Sequence, residues 1–231
     1  MKNQKAKNLD AKTITEAFAS VRNKIDQAAT LARRPKQDVT LIAVSKQQQP
    51  ERIDASLAAG NRVFGENRVQ EAKIRWERRK AIYPDLQLHL IGPLQSNKTA
   101  DAVRLFDFIH TVDRRKIATA IAVEATKQGK QIECFIQVNT GEELQKSGIA
   151  PAELENFLAF CRMEAGLSVK GLMCIPPVLE EAAMHFALLK TLSERHGLAS
   201  LSMGMSGDYE EAIGFGATHV RLGSALFGAR I

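Results

Sequence analysis

Short apolar runs rich in β-branched residues alternate along this chain with segments whose apolar positions recur at helical spacing. The runs occupy residues 40–46, 62–66, 86–92, 108–113, 132–140, 169–176, 199–206 and 219–228. Most of them are too continuously apolar to be half-exposed antiparallel strands. The pattern therefore predicts eight buried parallel strands.

Helical spacing marks the segments that separate these runs. One apolar stripe precedes the first run and another precedes the seventh: Ile14, Phe18, Val21 and Ile25, then Leu179, Ala182, Phe186 and Leu189. Thr13 and Glu16 have the spacing of a capping box ahead of the first helix, and Pro151 stands where a first-turn proline belongs. The connections are therefore predicted to be helices, with one extra helix before any strand.

Strands that alternate with helices over 231 residues favour the α/β class and a single (β/α)8 TIM-type barrel with an extra N-terminal helix. An open doubly wound sheet is the alternative. We expect one domain over residues 1–231, because no linker-like stretch, low-complexity segment or repeat divides the chain. In either fold, ligands bind at the carboxyl ends of the strands.

Composition narrows the function classes. Hydrophobic content of 45% with 25% charged residues is ordinary for a globular protein, and no apolar run reaches the roughly 20 residues of a membrane span. The basic N-terminus has no apolar h-region, so a cytoplasmic location is expected. The net charge is +6, but the lysines and arginines are interleaved with acidic residues along the chain, which argues against a nucleic-acid partner. Three cysteines, Cys134, Cys161 and Cys174, are too widely spaced for a metal site or a disulfide framework.

Lys46 comes directly after the apolar run of the first strand, which places an amine at a barrel mouth. A free lysine has a pKa near 10.4, so carbonyl chemistry needs a desolvated amine or a neighbouring cation. By position alone, a solvated lysine that opens a loop fits this site as well.

Two small, polar turns follow the seventh and eighth strands. Ser206 is expected at a helix N-cap with Gly207 after it, and Gly223 and Ser224 follow the eighth strand. Helix starts bind phosphate, and TIM barrels commonly hold phosphate between their last two strand ends. We call these four residues the phosphate cradle. Asp208 and Glu210 would repel a phosphate and favour a plain charged cap instead.

Arg221 lies within the eighth apolar run, between Val220 and Leu222. A buried arginine is costly unless something accepts its donors. Two acceptors remain open at this point: an acid across the barrel, or an atom of a ligand ring.

Further polar residues follow the second and third strands: Glu66 and Asn67, then His89, Gln95, Asn97 and Lys98. Each of them can contact a ligand, cap a helix or be a buried side chain whose hydrogen bonds are made within the core. Their spacing forms no nucleophile triad and no metal set.

Seven motifs together resemble the pyridoxal 5'-phosphate (PLP) homeostasis protein family, which is related to the N-terminal barrel of alanine racemases. They are AVSK, FGEN, HLIGPLQSNK, KSGI, GLMCIPP, SMGMS and VRLGSALFGAR, between about Thr40 and Arg230. Their joint occurrence in this order is highly specific.

The resemblance implies a barrel that binds PLP. In it, Lys46 would be the aldimine lysine, the phosphate cradle would contact the phosphate group of PLP, and Arg221 would face the pyridine nitrogen. Asn67, His89 and Met203 match positions that line the family pocket. The family usually has a tyrosine where this chain has Arg68, and more basic residues where it has QQQ after AVSK. These departures affect the rim of the pocket.

Three functions are consistent with a barrel that carries these residues. The first is a non-catalytic PLP carrier that buffers PLP or delivers it to apo-PLP enzymes, as a monomer or weak dimer. The second is an amino-acid racemase, which needs a second base; the tyrosines Tyr83 and Tyr209 are not placed for that role, and the chain ends soon after the eighth strand. The third is a phosphosugar isomerase with Glu66 as its base.

Overall fold

Eight parallel strands close into a barrel in chain order, and the eighth pairs with the first. The computed structural model describes residues 11–228. Its strands are Thr40–Val44 (β1), Val63–Glu66 (β2), Gln87–Leu90 (β3), Phe108–Val112 (β4), Glu133–Gln137 (β5), Ser168–Met173 (β6), Ser200–Ser202 (β7) and His219–Leu222 (β8). Each predicted strand segment contains or overlaps one of them, so the predicted (β/α)8 barrel is confirmed.

A helix follows each strand, and one further helix precedes them all. The helices are Ala11–Leu31 (α1), Pro50–Ala58 (α2), Val69–Ile82 (α3), Thr99–Leu105 (α4), Arg115–Gln128 (α5), Leu154–Ala159 (α6), Ala182–Arg195 (α7), Tyr209–Gly214 (α8) and Ser224–Phe227 (α9). The predicted extra N-terminal helix is α1, which packs against α2, α8 and α9. The basic residues 1–10, and Arg230 of the last motif, lie outside the described residues.

Three local predictions were wrong. Thr13 lies inside α1 and not at its N-cap, because the good helix formers Ala11 and Lys12 are already helical. Leu179 precedes α7 and is 98% exposed, because it lies in a turn over residues 178–180 that separates the prolines at 176–177 from the helix. The eighth strand ends at Leu222, after which Gly223 leads into the short α9. Pro151 occupies the first position of a 3-10 turn that leads into α6, as predicted.

The main hydrophobic core lies between the barrel and its helices. The α1 stripe is buried there as predicted, together with Phe64 and the fully buried Trp76. A second set of side chains fills the barrel itself. A Cβ on Gly65 would lie 2.8 Å from Ile42 Cγ2 and 3.1 Å from Ile91 Cδ1, which identifies the inward faces of the first three strands.

The three cysteines are free and buried. Within residues 11–228, no cluster of His, Cys, Asp and Glu side chains has the arrangement of a metal site. No described helix combines the length and apolar character of a membrane span.

Candidate functional site

Lys46 extends from a backbone segment that is fixed on both sides. β1 ends at Val44, and the buried Ser45 donates its N–H to Gly65 O at 3.0 Å and its hydroxyl to Glu66 Oε1 at 2.7 Å. On the other side, Gln47 has a φ of 60°, in the left-handed region. The half-buried Lys46 therefore lies at a defined position at the end of β1, where the sequence placed it.

Glu66 is fully buried, and its carboxylate points away from the barrel interior. Its Oε1 accepts hydrogen bonds from Ser45 Oγ, Arg75 Nη1 at 2.8 Å and the indole N–H of Trp76 at 2.9 Å. Both of the latter residues belong to α3, so Glu66 joins that helix to the end of β1. A carboxylate held in this way is not available as a base at the mouth, and the isomerase hypothesis loses its candidate.

The phosphate cradle occupies the ends of β7 and β8. β8 pairs with β7 on one side and with β1 on the other, so the cradle lies beside the strand that carries Lys46. A Cβ on Gly207 would meet nothing within 4 Å, and one on Gly223 would touch Val44 at 3.5 Å. The backbone at Gly207 is thus open to a ligand, whereas Gly223 packs against the end of β1.

One detail of the cradle was predicted wrongly. Ser206 is not the N-cap, because α8 begins at Tyr209 and Asp208 occupies the cap position. The Asp208 carboxylate accepts the backbone N–H of Met205 at 2.5 Å. That contact bends the carboxylate back onto its own turn.

Arg221 is buried in β8 and paired with neutral groups. Its Nη1 donates to Ser202 Oγ at 2.7 Å, and its Nη2 donates to the backbone oxygen of Cys174 at 2.8 Å. No carboxylate forms an ion pair with it among the described residues, so the structural ion pair that the sequence left open is not formed. Burial lowers the pKa of Arg221 from its ordinary value. Two of the five guanidinium donors are used, and the others remain for an acceptor.

A histidine-rich layer fills the barrel interior below Arg221. The rings of His89, His110 and His219 lie within about 6 Å of one another. His89 stacks on Phe108 at 4.2 Å between ring centroids, and His110 stacks on Phe135 at the same distance. Burial lowers the pKa of His89 and of His110 well below the usual value, and lowers that of His219 to about 4. These histidines are neutral near pH 7.

The predicted pocket residues fall into two groups. Asn67 lines a cavity of about 320 Å³ at the mouth together with Thr111, Gln137 and Lys146, and its Oδ1 is buried without a hydrogen-bond partner in the part of the chain that the structure describes. His89 and Met203 have no exposed surface, and Met203 packs in the hydrophobic core. The structure thus places Asn67 at the mouth, His89 in the barrel interior and Met203 in the main hydrophobic core.

Arg68 lies at the rim of the barrel mouth. Arg68, at the position where the resemblance led us to expect a tyrosine, is exposed and pairs with Glu71 at 3.1 Å. It lines a second cavity of about 540 Å³ with Asn67, Gln95 and Lys98. Arg68 therefore contributes a positive charge to the rim of the barrel mouth.

Neither tyrosine offers a second base. Tyr83 follows α3 and precedes β3, so it lies at the amino-terminal end of the barrel, opposite the mouth. Tyr209 is buried at the start of α8, where burial and the neighbouring Glu210 raise its pKa to about 12.

Sequence reasoning missed His110, Ser202 and the Cys174 carbonyl. A signal for His110 was present, because it interrupts the apolar run 108–113 two residues after Phe108, on the same face of an alternating strand. The other two carried no signal of their own.

Comparison with known proteins gives a consistent result. Residues 18–231 match the family model described as alanine racemase, N-terminal domain. The pyridoxal phosphate homeostasis protein of Pseudomonas aeruginosa is 44% identical, with 94% of this chain and 96% of that protein covered. The Escherichia coli protein of the same name is 41% identical, with 94% and 97% covered.

Solved structures extend the comparison. PipY of Synechococcus elongatus, solved with PLP bound, superposes with a TM-score of 0.80 at 37% identity, covering 93% of this chain and all of that one. An alanine racemase from Bartonella henselae gives a TM-score of 0.73 at 16% identity, covering 96% of this chain and 60% of the racemase. The latter likeness concerns the fold alone.

Proposed function

We propose that this chain, which belongs to the alanine racemase N-terminal domain family and to its PLP homeostasis proteins, binds PLP and acts in PLP homeostasis. One observation carries the proposal. The adjacent strands β7, β8 and β1 bring together the open turns of the phosphate cradle, the buried cation Arg221 and the amine of Lys46.

The residues present fit this cofactor group by group. Lys46 supplies an amine for covalent attachment at the cofactor's aldehyde carbon. The cradle supplies backbone N–H groups and hydroxyls to the phosphate, and Arg221 supplies spare donors to the ring nitrogen. Asn67, with its buried Oδ1 at the mouth, is a proposed contact, whereas the buried positions of His89 and Met203 support only an indirect role.

We further propose that the protein is a carrier with little or no catalysis. Bound PLP supplies a ring that withdraws electrons from an attached amino acid, most strongly when its nitrogen is protonated. Arg221 only donates hydrogen bonds, so a ring nitrogen that accepts one from it would be held unprotonated, and a guanidinium, with a pKa above about 12 in its free form, is too weak an acid to protonate that nitrogen. The positions of Tyr83 and Tyr209, and the engaged carboxylate of Glu66, support the same proposal.

Several expectations accompany this function as proposals. We expect apo-PLP enzymes to be recipients of the cofactor, a cytoplasmic location, one domain over residues 1–231, and a monomer or weak dimer. Cell fractionation, limited proteolysis and sedimentation test the last three of these directly.

The main experiment measures binding and delivery. The purified protein should be yellow after incubation with PLP, and borohydride should bleach it. Lys46→Ala should abolish the colour, whereas Lys146→Ala, at the mouth but outside the cradle, should keep it. Loaded protein should then restore activity to an apo-PLP enzyme without itself racemizing L-alanine. Absence of colour would reject PLP binding, and rapid racemization would reject the carrier.

A further inference from the structure

Four buried side chains form one continuous hydrogen-bonded chain through the barrel interior. Arg221 Nη1 contacts Ser202 Oγ at 2.7 Å, and Ser202 Oγ contacts His110 Nδ1 at 2.8 Å. His110 Nε2 then contacts His89 Nδ1 at 2.9 Å. We call this set the buried chain. Its last nitrogen, His89 Nε2, is buried and has no hydrogen-bond partner among the described residues.

The charge on Arg221 sets the direction of the chain. Because guanidinium nitrogens only donate, Ser202 Oγ must accept from Arg221, and its own proton is free to be donated to His110 Nδ1. His110 then carries its proton on Nε2 and donates it to His89 Nδ1.

The reverse direction fits the contacts less well. It would make Ser202 Oγ accept from both Arg221 and His110 and leave the serine proton without an acceptor among the described residues. Both histidines are therefore assigned as neutral rings protonated on Nε2.

The surroundings keep the histidines uncharged. Burial, followed by the nearby rings of His89 and His219 and then by Arg221, lowers the pKa of His110. An imidazolium here would be a second cation in a dry interior, which is strongly unfavourable. The chain thus consists of neutral groups that respond to one fixed charge.

We propose that Ser202, His110 and His89 are positioning residues that fix the orientation of the Arg221 guanidinium. The inference rests on the proposed function, in which Arg221 contacts the cofactor ring. The guanidinium is a rigid plane anchored at two points, Ser202 through Nη1 and the Cys174 carbonyl through Nη2. Loss of the Ser202 anchor leaves the plane free to turn about the other, and the donors aimed at a ligand lose their alignment. Supporting partners of this kind commonly tune a contact they do not make.

The first measurement needs no cofactor. Nitrogen-15 spectra of histidine rings in the protein without PLP should show His110 and His89 protonated on Nε2 at pH 7. Ser202→Ala should disturb the His110 signal. The matched control is Ser193→Ala, the same substitution at a buried serine of α7 that donates to Leu198 O at 2.6 Å and lies outside the buried chain. It should leave both signals in place. His110 protonated on Nδ1 in the unmodified protein would overturn the assignment.

The second measurement joins the chain to the cofactor. Ser202→Ala should weaken PLP binding on the order of tenfold, the loss expected for one misaligned charge-assisted hydrogen bond, and should shift the absorbance band of the bound cofactor. Ser193→Ala should do neither. A disturbed His110 signal with unchanged affinity and spectrum would overturn the positioning role. If the unmodified protein binds no PLP, the proposed function fails, while the nitrogen-15 result still decides whether the chain exists.

Discussion

The buried carboxylate of Glu66 should contribute more to stability than any exposed acid on the barrel. Glu66→Ala removes the acceptor shared by Ser45, Arg75 and Trp76. The carboxylate is 0% exposed and the Arg75 side chain is 16% exposed, so the cation left behind is mostly desolvated.

The expected magnitude follows from these contacts. Breaking a buried ion pair by removal of one partner costs about 3–5 kcal/mol. The stranded indole N–H of Trp76 would add about 1–3 kcal/mol if nothing relaxed, whereas the Ser45 hydroxyl can still donate to Gly65 O, which lies 3.3 Å away. The terms share one atom and do not add, and Arg75 can partly reach water. We therefore expect a loss of about 4 kcal/mol, a large fraction of a typical stability of about 5–15 kcal/mol.

Urea unfolding of the protein without PLP measures the effect, with m-values compared to confirm that the same transition is followed. Glu66→Gln keeps an acceptor of the same shape and should lose clearly less than the alanine variant. The control is Glu71→Ala, which breaks the exposed pair with Arg68 and should cost no more than about 1 kcal/mol. Equal losses for Glu66→Ala and Glu71→Ala would refute the argument.

The remaining predictions concern the cofactor and pH. After borohydride reduction, mass spectrometry should place the pyridoxyl group on Lys46; an adduct mainly on another lysine would contradict the assignment. Pyridoxal without its phosphate should bind far more weakly than PLP, because the cradle supplies charge-assisted hydrogen bonds of about 1.5–3 kcal/mol each; equal affinity would rule out the cradle. Arg221→Glu should raise Cα deuterium exchange into L-alanine, measured by NMR, in any variant protein that folds and holds PLP, although the carboxylate would face the Cys174 carbonyl and cost stability; a loaded variant with no increase would remove Arg221 as the cause of low reactivity. Burial, and to a smaller extent Arg221, lowers the pKa of His219 to about 4, while an unfolded histidine titrates near 6.5. The unfolded state therefore binds more protons than the folded state between these pH values, and the free energy of unfolding should fall as pH drops from about 6.5 to about 4. His219→Phe should reduce this dependence of the free energy of unfolding on pH, and an unchanged dependence would contradict the assignment.

Local patterns were sufficient for the architecture. Continuous apolar runs predicted the eight strands, and the stripe from Ile14 to Ile25 predicted α1, because strand and helix periods are properties of neighbouring residues. The position of Lys46 after an apolar run was likewise readable from the chain. Helix boundaries were less so: Thr13, Leu179 and Ser206 were misplaced by a few residues each, since caps depend on backbone angles that composition only weakly constrains.

The barrel, the family motifs and the residues available to a cofactor could all be predicted from the amino-acid sequence. The direction in which the polar side chains face became known only from the folded chain. Glu66 was a candidate base until the strand alternation turned it toward α3, and Arg221 was an equal candidate for an ion pair until its partners proved to be Ser202 and the Cys174 carbonyl. The contact between His110 and Ser202 joins residues 92 positions apart. Closure of the barrel creates such contacts, because strand register sets side-chain direction and strand order sets the neighbour, and neither is encoded in any short segment of the chain.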